Sequence, residues 1–285
     1  MSINRNVAFA CALVALVSAS TTAHDFYIAP SSYRVAPGQS LGISLVITHG
    51  VETTTQPRAL DRIIRFIYGG PELDSTPRGI AGAAGDDPAG VITLSDPGVY
   101  VVGYRSTNAT IELPAESFNE YLREKGMDNV LAARTASGDT EAPGTEIYSR
   151  CAKTLVRVGD ASVASPNATR DLGFTTELIP VTDPTIAPPN QPVSFRLMHE
   201  GAPVQDALVH LVRLTDPPPP KAEGDETPAT DAARTDADGI ATLTPDRAGV
   251  WRVNAVIMRP APDDADQDWE SWWASVTFEI TGPDR

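Results

Sequence analysis

The chain has 285 residues, with 22 basic and 37 acidic side chains, a formal net charge of −15, 25 prolines, 21 glycines and 2 cysteines. So acidic a surface repels phosphate backbones and anionic lipid and attracts cations, which argues against nucleic acid as a partner and directs attention to metal ions and neutral ligands. Beyond the first segment, every apolar run breaks well short of the ~18 residues a membrane helix needs, so no transmembrane span is expected.

Residues 1–23 read as a signal peptide. Arg5 is a short basic start, Val7 to Val17 is apolar, and Thr21 and Ala23 stand at the −3 and −1 positions of a signal-peptidase site. Cleavage there makes His24 the first residue, leaves 262 residues, and, because Arg5 is the only charge removed, moves the net charge from −15 to −16. The expected location is the periplasm or the extracellular medium. Cys11 leaves with the peptide, so Cys151 remains without an intrachain partner and reads as a small buried hydrophobe.

An N-terminal β-sandwich domain is expected over residues 24–160. Its turn signals are Pro37-Gly38, Gly69-Gly70-Pro71, Asp96-Pro97-Gly98 and Pro143-Gly144, and between them strands are expected near Ser40–Thr48, Ile63–Tyr68, Val91–Leu94, Val99–Arg105 and Ile147–Val158. Leu41, Ile43, Leu45 and Ile47 alternate on one face of the first of these, and His49 continues that face at the rim. A helical insertion is expected near 114–134. Pro114 opens it, Phe118, Tyr121 and Leu122 share a face, and Gly126 ends its first helix.

A polar linker over 161–172 leads to a second β-sandwich over 173–281. Strands are expected near Thr175–Pro180, Val193–Met198, Leu208–Leu214, Ile240–Leu243, Gly249–Ile257 and Trp273–Ile280. The stretch 216–236, with four consecutive prolines, reads as a disordered loop because it has little apolar surface to bury. The fold class is therefore mainly β, two β-sandwich modules of immunoglobulin-like or transthyretin-like type with one helical insertion in the first.

Four histidines survive cleavage: His24, His49, His199 and His210. His210 reads as a solvated strand residue and His199 as a turn residue. His24 differs because cleavage gives it two nitrogen donors, the α-amine and ring Nδ1, which close a six-membered chelate on one ion. The α-amine has a reference pKa of roughly 7.7 to 8.0, so little proton displacement is needed at neutral pH. His49 is the expected third nitrogen, giving a set suited to copper, nickel or cobalt, and Asp25 is the expected weak axial oxygen or second-sphere partner of the imidazole.

The acidic runs are weaker candidates. Thr235-Asp-Ala-Asp-Gly-Ile lacks the distal glutamate of a calcium loop and reads as a hairpin turn, while Asp263, Asp264, Asp266 and Asp268 read as a solvated loop. In the strand that closes the chain, alternation puts Trp272 inward with Ala274, Val276 and Phe278. That leaves Trp269 and Trp273 as an exposed platform for stacking sugar rings, the basis of an alternative reading as a carbohydrate or cell-envelope binding module. No nucleophile elbow, phosphate loop or dinucleotide fingerprint occurs, so nothing demands an enzyme. An amino-terminal histidine with a second histidine can also activate oxygen on copper, which keeps an oxidative activity open as a third reading.

Four stretches carry a family resemblance: Ala-His-Asp-Phe-Tyr-Ile-Ala-Pro-Ser-Ser-Tyr-Arg from Ala23, Glu112-Leu-Pro-Ala-Glu-Ser-Phe-Asn-Glu-Tyr-Leu, Ile147-Tyr-Ser-Arg-Cys-Ala-Lys, and Trp269-Glu-Ser-Trp-Trp-Ala-Ser-Val-Thr-Phe. In this order they resemble the domain-of-unknown-function 4198 family, bacterial proteins often labelled nickel-uptake (NikM-like) periplasmic components. The resemblance implies a secreted β-rich protein associated with nickel or cobalt uptake, with the metal ion and a membrane metal-uptake transporter as partners. Two departures stand out: the only long apolar stretch is the signal peptide, although the label sometimes refers to a transmembrane region, and Cys151 stands where an aromatic residue is expected. In the second half, Gly201-Ala-Pro-Val-Gln-Asp-Ala-Leu-Val, Thr235-Asp-Ala-Asp-Gly-Ile-Ala-Thr-Leu and Gly249-Val-Trp-Arg-Val resemble transthyretin-like domains related to carboxypeptidase regulatory modules, which are scaffolds.

Overall fold

A computed structural model describes residues 25–49, 52–160, 163–214 and 230–282, with the backbone alone described at positions 49 and 52. The signal-peptide expectation, His24 and the proline run after Asp216 lie outside the described residues. In chain order the strands of the first half are β1 (Asp25–Pro30), β2 (Arg34–Val35), β3 (Gln39–His49), β4 (Glu52–Gln56), β5 (Ile63–Gly69), β6 (Arg78–Gly79), β7 (Gly90–Leu94), β8 (Gly98–Ser106) and β9 (Ala109–Leu113). Helices α1 (Ala115–Glu124) and α2 (Asp128–Ser137) follow, then β10 (Gly144–Val158). The second half contains β11 (Thr176–Pro180), β12 (Val193–His199), β13 (Ala202–Pro203), β14 (Leu208–Arg213), β15 (Asp231–Arg234), β16 (Ile240–Leu243), β17 (Gly249–Pro260) and β18 (Trp269–Ile280).

The fold is mainly β, and its sandwiches share a middle layer. A ten-stranded sheet runs β15-β14-β17-β18-β10-β8-β5-β6, with β2 and β9 also pairing with β10. The two halves of the chain join inside it, because β10 and β18 pair in parallel from Glu146↔Trp269 to Thr154↔Thr277. The pleat sends alternate side chains to opposite faces, so each of the two long strands must fill two cores. On β8, Val99 and Val101 pack with Leu178, Phe195 and Leu243 of the sheet β11-β12-β16. Between them, Tyr100, Val102 and Tyr104 pack with Phe26, Ile28, Ile43 and Leu45 of the sheet β1-β3-β4-β7. On β10 the same split puts Cys151 and Leu155 on one side and Ala152, Val156 and Val158 on the other. The small sheets thus cover opposite faces of the large one.

Buried ion pairs pin the layers. Lys153 reaches Glu177 and Arg157 reaches Asp183, all nearly inaccessible to water. The stretch expected as a linker is part of this structure. Asn167 is fully buried and donates to the carbonyls of Gly69 (3.0 Å) and Val99 (2.8 Å), which ties this stretch to the ends of β5 and β8. The expected disordered stretch also extends too far: its last residues form β15, paired with β14 from Leu208↔Arg234 to Leu211↔Asp231.

The helical insertion covers what the first small sheet leaves open on its side of the large sheet. Phe118, Tyr121 and Leu122 recur at the spacing of one helix face and pack with Val256, Met258, Trp269 and Trp273. Glu116 near the start and Arg123 near the end of α1 complement its dipole. The helix stops at Gly126, whose φ of +67° favours glycine and whose place against Leu208 leaves no room for a Cβ. Arg134 of α2 ties the pair together by donating to Asn119 (3.1 Å) and to the Asp139 (2.7 Å) and Ala142 (2.6 Å) carbonyls.

Candidate functional site

The polar face of β17 creates the site. Trp251, Val253 and Ala255 point into the shared core, which turns Arg252 and Asn254 to the other face, where the start of β1 and the end of α1 cover them. The side chain that meets them is Asp25, the first described residue of β1, held by the pairing Asp25↔Thr48 with β3. Asp25 Oδ1 accepts from Lys125 Nζ (3.1 Å) and Asn254 Nδ2 (3.2 Å), and Oδ2 accepts from Arg252 Nη2. Arg252 also lies over the Tyr27 ring (5.5 Å) and Lys125 Nζ over Trp273 (5.7 Å). Burial alone would raise the Asp25 carboxyl. The Arg252 and Lys125 charges outweigh it and hold the group well below the usual carboxylate range.

Both oxygens of Asp25 therefore already take donors, so its observed role is to anchor the start of β1. The expected axial-ligand oxygen is not an open one. Position 24 lies outside the described residues. His49 ends β3, where its backbone pairs with Glu52. Among the described residues, no group of three or more His, Cys, Asp or Glu is placed to hold a metal ion.

His210 belongs to this corner, contrary to the expectation of a solvated ring. On β14 it pairs with Asn254, and opposite residues of an antiparallel pair share a face. It is half-buried. Burial first, then the Lys125 charge, push its imidazole down to about 4. A histidine and an arginine set into long apolar strands were the available sequence signal: such residues must face either solvent or a covered polar seam. Lys125 also lines a cavity of about 310 Å³ with Met127, Leu208, Arg234 and Met258. The Arg234 guanidinium there is paired with Asp128 (2.5 Å).

A second buried carboxyl lies farther along the same layer. Glu146 accepts from the Ser271 hydroxyl and from Tyr121 Oη (3.5 Å), while its Oε2 has no partner among the described residues. Burial pushes this carboxyl up to about 7.

Trp269 and Trp273 do not form the expected exposed platform. Each is 8% exposed. The reason is that both faces of β18 are covered: Trp273 stacks on Tyr121 of α1 (5.5 Å, 6°), and Trp269 packs in the same cluster. His199, expected in a turn, is instead the last residue of β12, paired with Thr176 and Ala202, its Nδ1 2.8 Å from Thr176 Oγ1 and its ring 4.4 Å from that of Trp272. Cys151 is buried, as expected, and burial pushes its thiol up to about 11.

A family model described as a domain of unknown function (DUF4198) matches residues 21–259. The chain belongs to the DUF4198 family. The match starts before β1 and ends within β17, so in this DUF4198 protein the Asp25 corner falls entirely inside the family region. No curated protein matches the sequence. Among solved structures, the D0-D1 domain of intimin is 16% identical over 90% of this chain and 98% of that chain, with a TM-score of 0.21. No helix among the described residues is long and apolar enough to cross a membrane.

Proposed function

We propose that this DUF4198 protein is an exported binder of a transition metal ion, nickel, cobalt or copper, acting in metal uptake or buffering through an amino-terminal histidine. The observation that carries this reading is the anchoring of Asp25. A buried carboxylate held by two cations and an amide fixes the first described residue of β1, and cleavage after Ala23 makes its neighbour the amino terminus. In an antiparallel ladder a step back along one strand is a step forward along the other. The last described pair of this ladder is Asp25↔Thr48, and His49 is the next residue of β3 beyond it.

In this reading His24 holds the ion through its amine and Nδ1, and His49 supplies a third nitrogen. Asp25 serves as the anchor that positions the chelate. The acidic surface, −16 after cleavage, raises the local concentration of cations. The NikM-like label of the family fits delivery of the bound ion to a membrane metal-uptake transporter, and the signal peptide fits a periplasmic or secreted location. The test is a nickel and copper titration of protein whose amino terminus has been verified by intact mass. One ion per chain should bind, and His24→Ala should abolish that binding; equal affinity in the variant contradicts the reading.

A further inference from the structure

Four of the buried cations of this fold are met by carboxylates: Lys125 and Arg252 by Asp25, Lys153 by Glu177 and Arg157 by Asp183. Arg150 of β10 departs from that pattern. It is half-buried, with its guanidinium over the Phe26 ring at 5.0 Å and over the Tyr148 ring at 5.2 Å. Phe26 is itself held against Tyr104, 5.2 Å between ring centres, and the Arg150 backbone N–H donates to Ser106 Oγ (2.9 Å), so both the rings and the strand under the side chain are fixed. Among the described residues no carboxylate pairs with the guanidinium and no acceptor takes any of its N–H groups. Nε is buried without a partner, while the Nη groups reach solvent. Burial, then the Arg62 charge, act against its ionisation. Asp25, a carboxylate whose charge acts in the other sense, has both oxygens occupied by other donors.

Ring faces offset part of the cost of taking a cation out of water but satisfy none of its N–H donors. In a chain with 37 acidic side chains against 22 basic ones, a guanidinium left without an acceptor calls for an explanation. Its chemistry indicates the missing partner. Phe26 and Tyr148 set the direction of the group before any ligand arrives, and the open Nη groups are the donors that a carboxylate takes in a planar fork of two parallel hydrogen bonds. We propose that Arg150 anchors a binding site for a small organic carboxylate, gripped through its Nη groups while Phe26 and Tyr148 hold the guanidinium in place. Arg62 adds to the positive potential there without closing the fork, because its Nη1 is tied to the Asn108 carbonyl (2.7 Å). The site does not depend on the amino-terminal metal reading.

The experiment is calorimetric titration of the protein with benzoate, and with benzamide as its uncharged counterpart, beside Arg150→Gln and Arg150→Lys. Wild type should bind one benzoate per chain. Benzamide should bind at least roughly tenfold more weakly, and so should benzoate to Arg150→Gln, since hydrogen bonds to a charged group contribute at least that much. Arg150→Lys should fall between, because lysine keeps the charge and loses the planar fork. No saturable benzoate binding by wild type, equal affinity for benzamide, or unchanged benzoate affinity in Arg150→Gln overturns the proposal. Should the glutamine variant fail to fold, wild-type protein with 15N-labelled arginine side chains is titrated with benzoate, the Arg150 Nε–H signal being assigned by its absence in Arg150→Lys. A saturable shift of that signal supports the site, and a signal that does not move contradicts it.

Discussion

Glu146 is a buried carboxyl whose ionisation the fold resists, and Glu146→Gln removes that ionisation with little change of shape. The side chain is 1% exposed, and burial raises its pKa from 4.5 to about 7. A folded pKa above the unfolded one means that the contribution to stability is fully present below the unfolded value, 4.5, and is lost as pH rises through the folded value, about 7. At about 1.4 kcal/mol per pH unit, the gap corresponds to about 3 kcal/mol. Glutamine keeps an acceptor for the Ser271 and Tyr121 hydroxyls and cannot ionise. Glu146→Gln should therefore match the wild type near pH 4.5 and exceed its stability by up to about 3 kcal/mol near pH 8. His210 acts in the opposite sense, since its pKa is pushed down: its contribution is present above 6.5 and lost as pH falls through about 4. It is common to both proteins and cancels in the difference. Urea unfolding followed by tryptophan fluorescence at several pH values measures that difference. A difference that is flat with pH, or a variant less stable than wild type near pH 8, refutes the reasoning.

Asp25→Ala leaves the Arg252 and Lys125 charges buried without their shared carboxylate and should cost about 3 to 5 kcal/mol, read as a lower urea midpoint. Gly144→Ala puts a Cβ into the Phe118 ring and should loosen α1 from the sheet, at a cost of about 1 to 3 kcal/mol in thermal unfolding. Cys151, buried and with its thiol pushed up to about 11, should ignore a thiol reagent at neutral pH until the protein is unfolded; fast reaction of the native protein contradicts its placement.

Much of the fold was legible because local rules and tertiary packing agree. The alternation Leu41, Ile43, Leu45 is the buried face of β3, and Phe118, Tyr121 and Leu122 are the buried face of α1. What was hidden is nonlocal. The parallel pairing of β10 with β18 joins residues 123 apart, and no turn signal announces it. That pairing makes one sheet serve both halves and buries both faces of β18. It is why Trp273, assigned to solvent by alternation, stacks under a helix. The site was legible only in part. Asp25 was singled out from the sequence, while the contacts of Lys125, Arg252 and Asn254 with it, and the place of His210 across from Asn254, depend on α1, β14 and β17 converging on one end of β1. Asp25 looked like a ligand because it is acidic and adjacent; the buried cations that pair with it lie 100 and 227 residues away along the chain.

The central claim is that a free amine at His24 makes the metal site. One comparison isolates it: nickel(II) and copper(II) titrations of the protein beginning at His24 against the same protein retaining Ala23, which keeps every side chain and moves the amine one residue away. The protein beginning at His24 should bind one ion tightly, and the extended protein should lose that binding. Equal affinity of the two would contradict the account.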